Sequence, residues 1–188
     1  LAKTIDLNGK LLIAMPGMGD PRFAHSVVFM CAHSEEGAMG LVINKPTGDL
    51  WLRDLLEQLS IEPGKDAPDL PVCFGGPVEH GRGFVLHNRG YHSAISTLDV
   101  NDEFAMTATI DILEDLAEGR GPDKVIMALG YAGWGPGQLE AEIAQNGWLT
   151  CEADTSLVFD TSAATKWEAA LKKLGVSALA LSASAGRA

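Results

Sequence analysis

Apolar positions in the first third of the chain come in short runs rather than at helical spacing. Residues 10–15 form one such run, broken by Pro16-Gly17. Residues 26–33 (SVVFMCAH) are β-branched or apolar on both faces, the pattern of a central strand buried from both sides. Glu35-Glu36-Gly37 reads as a turn and residues 38–44 as the returning strand, which predicts a hairpin. The period then changes. Leu52, Leu55, Leu56 and Leu59 recur at i, i+3, i+4 and i+7 and predict a helix with Thr47 or Asp49 as its cap. Prolines 63, 68 and 71 mark a loop, followed by short strands at 72–74 and 83–87 joined through Gly75-Gly76-Pro77.

A second helix is predicted from Asp111, where Asp111 and Glu114 have capping-box spacing, to Gly119 or Gly121. A third covers about residues 137–146, and residues 148–151 and 157–159 read as strands. The last helix starts near 160–162, places Ala164, Trp167, Leu171 and Leu174 on one face, and ends at Gly175. The Ala/Ser-rich residues 176–188 have little to bury, and a mobile tail is expected there. Strands first, then strands and helices without strict alternation, argue for an α+β fold in one domain of 188 residues, with a mostly antiparallel or mixed sheet flanked by helices.

The densest punctuation is Gly130-Tyr-Ala-Gly-Trp-Gly-Pro-Gly-Gln-Leu-Glu140, which follows the apolar run 125–129. It predicts a buried strand, a tight glycine-lined turn, and a helix opening at that turn. Backbone N–H groups there would be free to hold an anion or a partner's acceptor. The plainer account is that the glycines let the turn and Trp134 pack tightly, with Glu140 and Glu142 complementing the helix dipole.

Charge narrows the partners. The chain carries a net −11 with a pI near 4.7, and Lys172-Lys173 is its only adjacent basic pair. Such a protein has little to offer nucleic-acid phosphates or anionic membrane surfaces, so direct nucleic-acid binding is not expected. Its apolar runs are too short to span a bilayer, and residues 1–10 lack the order of a signal peptide. Cys31, Cys73 and Cys151 are widely spaced and odd in number, which suits a reducing cytoplasm rather than a disulfide framework.

No P-loop, nucleophile elbow, zincin or C-x-x-C motif occurs. Cys73 is the best nucleophile candidate, ending a strand just before Gly75-Gly76, with His80, His87 or His92 as conceivable bases. A cysteine in an apolar strand is more often a small buried hydrophobe. A metal site would draw on His33, His80, His87 and His92, with Cys31 and His33 on one face of their strand, but tight ligand pairs are otherwise missing. Neither a metal nor a cofactor is therefore expected. Arg22 is the nearest thing to a lone anion-recognising residue, although a solvated surface arginine explains it as well.

Long segments of the chain resemble the bacterial AlgH/YqgE family. They include Leu12-Ile-Ala-Met-Pro16, Asp20-Pro-Arg-Phe23, Gly37-Ala-Met-Gly-Leu-Val-Ile-Asn44, Gly75-Gly-Pro-Val78, Leu129-Gly-Tyr-Ala-Gly-Trp134 and Asn146-Gly-Trp-Leu149. The chain departs from that pattern at its end, where Arg187 stands in place of a histidine. The resemblance implies a bent, partly barrel-like sheet flanked by helices. It brings no agreed catalytic residues and no cofactor, and it carries the label of a transcriptional regulator from a member linked to alginate control. The expectation is a non-enzymatic regulatory or adaptor protein, acting indirectly on transcription and binding a protein partner or small ligand; the alternative is a hydrolase using Cys73 or a histidine. Its contact surface is expected where residues 16–23, 75–77 and 130–137 meet, with Arg22, Asn44, Gly75, Gly76, His87, Tyr131, Gly133 and Trp134 contributing.

Overall fold

A computed structural model describes residues 5–177 and 179–181. Most of the expected tail therefore lies outside the described residues. The first strands are β1 (Lys10–Ala14), β2 (Val27–Ser34) and β3 (Gly37–Val42), with β2 and β3 forming the expected antiparallel hairpin. Both faces of β1 and β2 are covered. Leu11, Ile13, Val27 and Phe29 face one apolar cluster; Leu12, Ala14, Val28 and Met30 face another.

The segment expected to cap the first helix is instead a strand, β4 (Pro46–Trp51), paired with β5 (Pro71–Phe74). Helix α1 (Leu52–Gln58) starts directly after it, and the Asp54 carboxylate accepts the Trp51 N–H at 2.9 Å, so neither Thr47 nor Asp49 caps it. The remaining strands are β6 (Val78–Asn88), β7 (Leu98–Asp99), β8 (Phe104–Thr107), β9 (Val125–Trp134) and β10 (Trp148–Glu152). Helices α2 (Ile110–Ala117), α3 (Gln138–Ala144) and α4 (Ala163–Lys173) pack on them. Asp111 makes no capping box in α2; its carboxylate accepts Ser93 Oγ–H, the Ala94 N–H and Thr109 Oγ1–H. Residues 157–159, expected to be a strand, lie in a π-helical turn (Ser156–Asp160) that delivers Leu157 and Val158 to the core.

The sheet runs β10-β1-β2-β3-β9-β6-β8-β7 and curls into a half-barrel with helices on its flanks, an α+β fold. Strand β9 splices its two halves. Met127 and Leu129 of β9 pair with Val72 and Phe74 of β5, in parallel, and also with Val85 and Gly83 of β6, antiparallel. Two strands bonded to the same residues must occupy opposite edges, so the short link Gly75-Gly76-Pro77 has to cross the face of β9. It does so in backbone-to-backbone contact. A Cβ on Gly75 would lie 2.2 Å from the Gly130 carbonyl oxygen, one on Gly76 2.0 Å from the Tyr131 carbonyl carbon, and one on Gly130 2.4 Å from the Gly76 oxygen. Gly130 adopts φ +76° within the strand, which only glycine does without strain. The expected turn at Gly130 is thus a strand that continues to Trp134.

On α4 the buried face is Lys166, Trp167, Ala170 and Leu171, whereas Ala164 and Leu174 are exposed. Trp167 Nε1–H donates to the Ala14 carbonyl at 2.8 Å and ties the helix to β1. Lys166 is 3% exposed; its Nζ donates to the carbonyls of Val158 (2.7 Å) and Ile43 (3.3 Å). Among the described residues no carboxylate pairs with it, and burial drives its pKa from 10.5 down to about 8.

Gly76→Ala is expected to destabilise the fold by more than ~3 kcal/mol, because the added methyl meets fixed backbone. Gly135→Ala, whose Cβ would first meet the Gln138 Oε1 at 3.9 Å, should change stability by less than ~1 kcal/mol. Urea unfolding of both variants checks this; equal tolerance would refute the crossing. A second expectation concerns Lys166. The unfolded amine binds a proton between pH 8 and 10.5 that the folded one has released, so this group adds stability as pH rises through that window. Below about pH 8 both states are protonated and the contribution is absent. The buried thiols titrate with the opposite sign, so the measurement is the difference between wild type and Lys166→Met. That difference should grow in favour of wild type by roughly 3 kcal/mol across the window.

Candidate functional site

Where β9 ends, Trp134 stands between two open depressions. Beyond Tyr131 the strand keeps a partner on one edge only among the described residues: Ala132, Gly133 and Trp134 pair with Gly40, Met39 and Ala38 of β3, while the pairing with β6 stops at Val78↔Tyr131. Gly137, at φ +74°, then turns the chain into α3. The residues 16–23 and 75–77 reach the same place through Arg22, Phe23 and Pro77. Two of the three expected loops and the end of β9 therefore meet.

The first depression is a cleft of about 390 Å³ lined by Phe23, Pro77, Trp134, Glu142, Gln145 and Trp148, with Asp20 and Arg22 at its rim. Trp134 and Trp148 are 8% and 3% exposed and meet edge to face with centroids 6.2 Å apart; Phe23 stands at 75° to Trp148 at 5.8 Å. Both indole N–H groups converge on one acceptor. Trp134 Nε1–H and Trp148 Nε1–H donate to Glu142 Oε1 at 3.1 and 3.0 Å, and Gln138 Nε2–H donates to Glu142 Oε2 at 3.0 Å. The carboxylate is held by neutral donors, and it has no ion pair among the described residues. Arg22 is neutralised locally: it clamps Asp20 with Nε and Nη2 (2.8 Å to Oδ2) while lying 5.6 Å over the Phe23 ring. It is not a free anion receptor, and the contact with Arg22 lowers the Asp20 carboxyl pKa.

The second depression, about 630 Å³, is lined by His33, Glu36, Met39, Val78 and Tyr131, and it shares Gly133 and Trp134 with the first. His33 Nδ1 accepts the Leu7 N–H at 3.2 Å, which leaves Nε2 to carry the proton toward the Glu140 carboxylate. A bulge between Met30 and Ala32 breaks the alternation that would have set Cys31 and His33 on one face. Cys31 is in the apolar core, where burial raises its thiol pKa to about 12. Among the described residues no group of three His, Cys, Asp or Glu is placed to hold a metal.

The other expected contacts lie elsewhere. Asn44 links strands, with Oδ1 accepting the Val27 N–H (2.9 Å) and Nδ2 donating to the His25 carbonyl (2.8 Å). His87 is fully buried: Nδ1–H donates to the Asn88 carbonyl and Nε2 accepts from Thr107 Oγ1–H, both at 2.8 Å. Burial lowers its pKa, which keeps the imidazole neutral. Gly75 and Gly76 are consumed by the crossing on β9. Cys73 is 5% exposed in the core, and burial raises its thiol pKa against a weaker opposing pull from Lys166. Sequence reasoning missed Glu142 and Trp148 as partners of Trp134. The i, i+4 spacing of Gln138 and Glu142 was visible, but the two tryptophans converge only once β10 is in place.

The chain matches the AlgH-like family model over residues 11–179. It is 60% identical to a UPF0301 protein of Ruegeria pomeroyi over 185 residues, covering 98% of this chain and all of that one. A UPF0301 protein of a Jannaschia species is 56% identical over 186 residues, with 98% and 97% covered. The solution structure of the AlgH protein from Pseudomonas aeruginosa superposes with a TM-score of 0.79 at 45% identity, covering 97% of this chain and 96% of that one. A Corynebacterium diphtheriae protein of 18% identity has the same fold, with a TM-score of 0.71 over 92% and 90% of the two chains. A curled sheet spliced at β9, and a sequence alike along nearly its whole length, place this chain in the AlgH-like family.

Proposed function

We propose that this protein is a non-enzymatic regulatory or adaptor protein of the bacterial cytoplasm, and that it recognises its partner at the two depressions flanking Trp134. The observation that carries this reading is the pair of neighbouring clefts at the end of β9, which share Gly133 and Trp134 and are lined by aromatic rings and, in the first, by the hydrogen-bonded Glu142 carboxylate. Buried apolar surface with a few fixed polar groups is what recognition requires. Any influence on transcription is indirect, since a chain of net charge −11 repels the phosphate backbone.

The hydrolase alternative gains no support from the geometry around Cys73. Its thiol lies in the apolar core with a raised pKa, so the nucleophilic thiolate is disfavoured. His87, the most deeply buried imidazole, has both ring nitrogens engaged with Asn88 and Thr107.

Trp134 is too deeply packed for a surface test, and Trp134→Ala should cost ~3–5 kcal/mol of stability. Arg22→Ala combined with Gln138→Ala removes exposed groups only. This double variant is expected to keep the wild-type Tm within a few degrees yet fail to complement a deletion strain and to recover the wild-type's partner from lysate. Full complementation and undiminished partner recovery would refute the reading. Loss of complementation by a folded Cys73→Ser variant would favour the hydrolase.

A further inference from the structure

The cleft of Phe23, Trp134, Trp148 and Glu142 has an electrostatic character that its hydrogen bonds leave uncancelled. Three neutral donors orient the Glu142 carboxylate, yet none neutralises its charge. At the rim Asp20 and Arg22 cancel one another, so the lining retains one net negative charge. Glu36 adds negative charge at the adjoining depression, where His33 is paired with Glu140. Aromatic rings beside an uncompensated carboxylate attract organic cations through the ring quadrupole and the charge together. Arg22 over Phe23 shows that this ring already accepts a guanidinium.

Resting on the proposed role as a binding protein, we propose that this cleft receives a basic side chain, arginine or lysine, from an extended segment of a partner protein. A segment suits the site better than a free cation for two reasons. A second depression of about 630 Å³ lies on the other side of Gly133 and Trp134, which line both, so the two together offer far more room than a single cation fills. Beyond Tyr131, β9 also has a strand partner on one edge only among the described residues, and Gly133 is exposed there between the two depressions, so a chain lying across it can reach its backbone while side chains to either side enter the depressions. The chain's overall charge of −11 steers a basic segment toward it.

The test titrates the full chain with blocked hexapeptides carrying one central arginine or lysine, with citrulline and acetyl-lysine counterparts as neutral controls. The indole Nε1–H signals of Trp134 and Trp148 are followed by NMR. At least one basic peptide should shift both signals saturably and its neutral counterpart should not. Glu142→Gln keeps an acceptor for both indoles but removes the charge, and it should weaken binding by about tenfold or more. Equal binding of the neutral peptides, unchanged affinity in Glu142→Gln, or no saturable shift with either basic peptide overturns the assignment. Methylguanidinium binding as tightly as the arginine peptide would move the site to a free small cation and overturn the partner segment. If Glu142→Gln still captures the wild-type's partner undiminished while the Arg22 and Gln138 double variant does not, the cation assignment fails and the binding role stands.

Discussion

The contact on which this architecture depends is one backbone lying directly on another. The link Gly75-Gly76 crosses β9 at Gly130-Tyr131, so close that a methyl group on any of the three glycines would overlap main-chain atoms. The crossing lets β5 and β6 take opposite edges of one strand with only three residues between them. A longer link would pass further from the sheet and leave a gap; a bulkier one would not pass at all. Gly130 contributes a positive φ within the strand, and opposite it Val78–Gly83 of β6 bulges outward.

That single crossing shapes the surface as well as the core. Because β6 leaves β9 at Tyr131, the last residues of β9 pair only with β3 among the described residues, and Trp134 packs instead against Trp148 of β10. Gly137 then turns the chain so that α3 returns Glu142 beneath both tryptophans. Packing and recognition thus use the same residues: the indoles are buried to hold α3 and β10, and their arrangement around a carboxylate gives the cleft its chemistry.

Polar groups inside the fold are spent on structure. Asn44 bridges the start of β2 to the end of β3, and His87 is fixed as one tautomer between Asn88 and Thr107. Lys166 spans from α4 to two carbonyls with no carboxylate paired to it among the described residues; the two carbonyls hold its ammonium, and burial lowers its pKa to about 8. Each is held by neighbours whose hydrogen-bonding groups it satisfies.

Local pattern was enough for β1, β2 and β3, because short runs rich in β-branched and apolar residues suit buried strands and Glu35-Glu36-Gly37 suits a tight return. Leu52, Leu55 and Leu56 likewise declared α1 through their spacing, and the α+β class followed from the order of the elements. The sequence also carried the charge, the meeting of residues 16–23 with Trp134, and the family. What it could not carry was the meaning of a glycine or of a polar side chain. A glycine required by a turn and one required by a crossing backbone look identical along the chain, so Gly130 read as the end of a strand that in fact runs on to Trp134. Asn44 and His87 find their partners 17 and 20 residues away, and Glu142 gathers two indoles that only the closed sheet brings together. Those assignments belong to tertiary structure, because a hydrogen bond or a van der Waals overlap is decided by distance in space rather than by position along the chain.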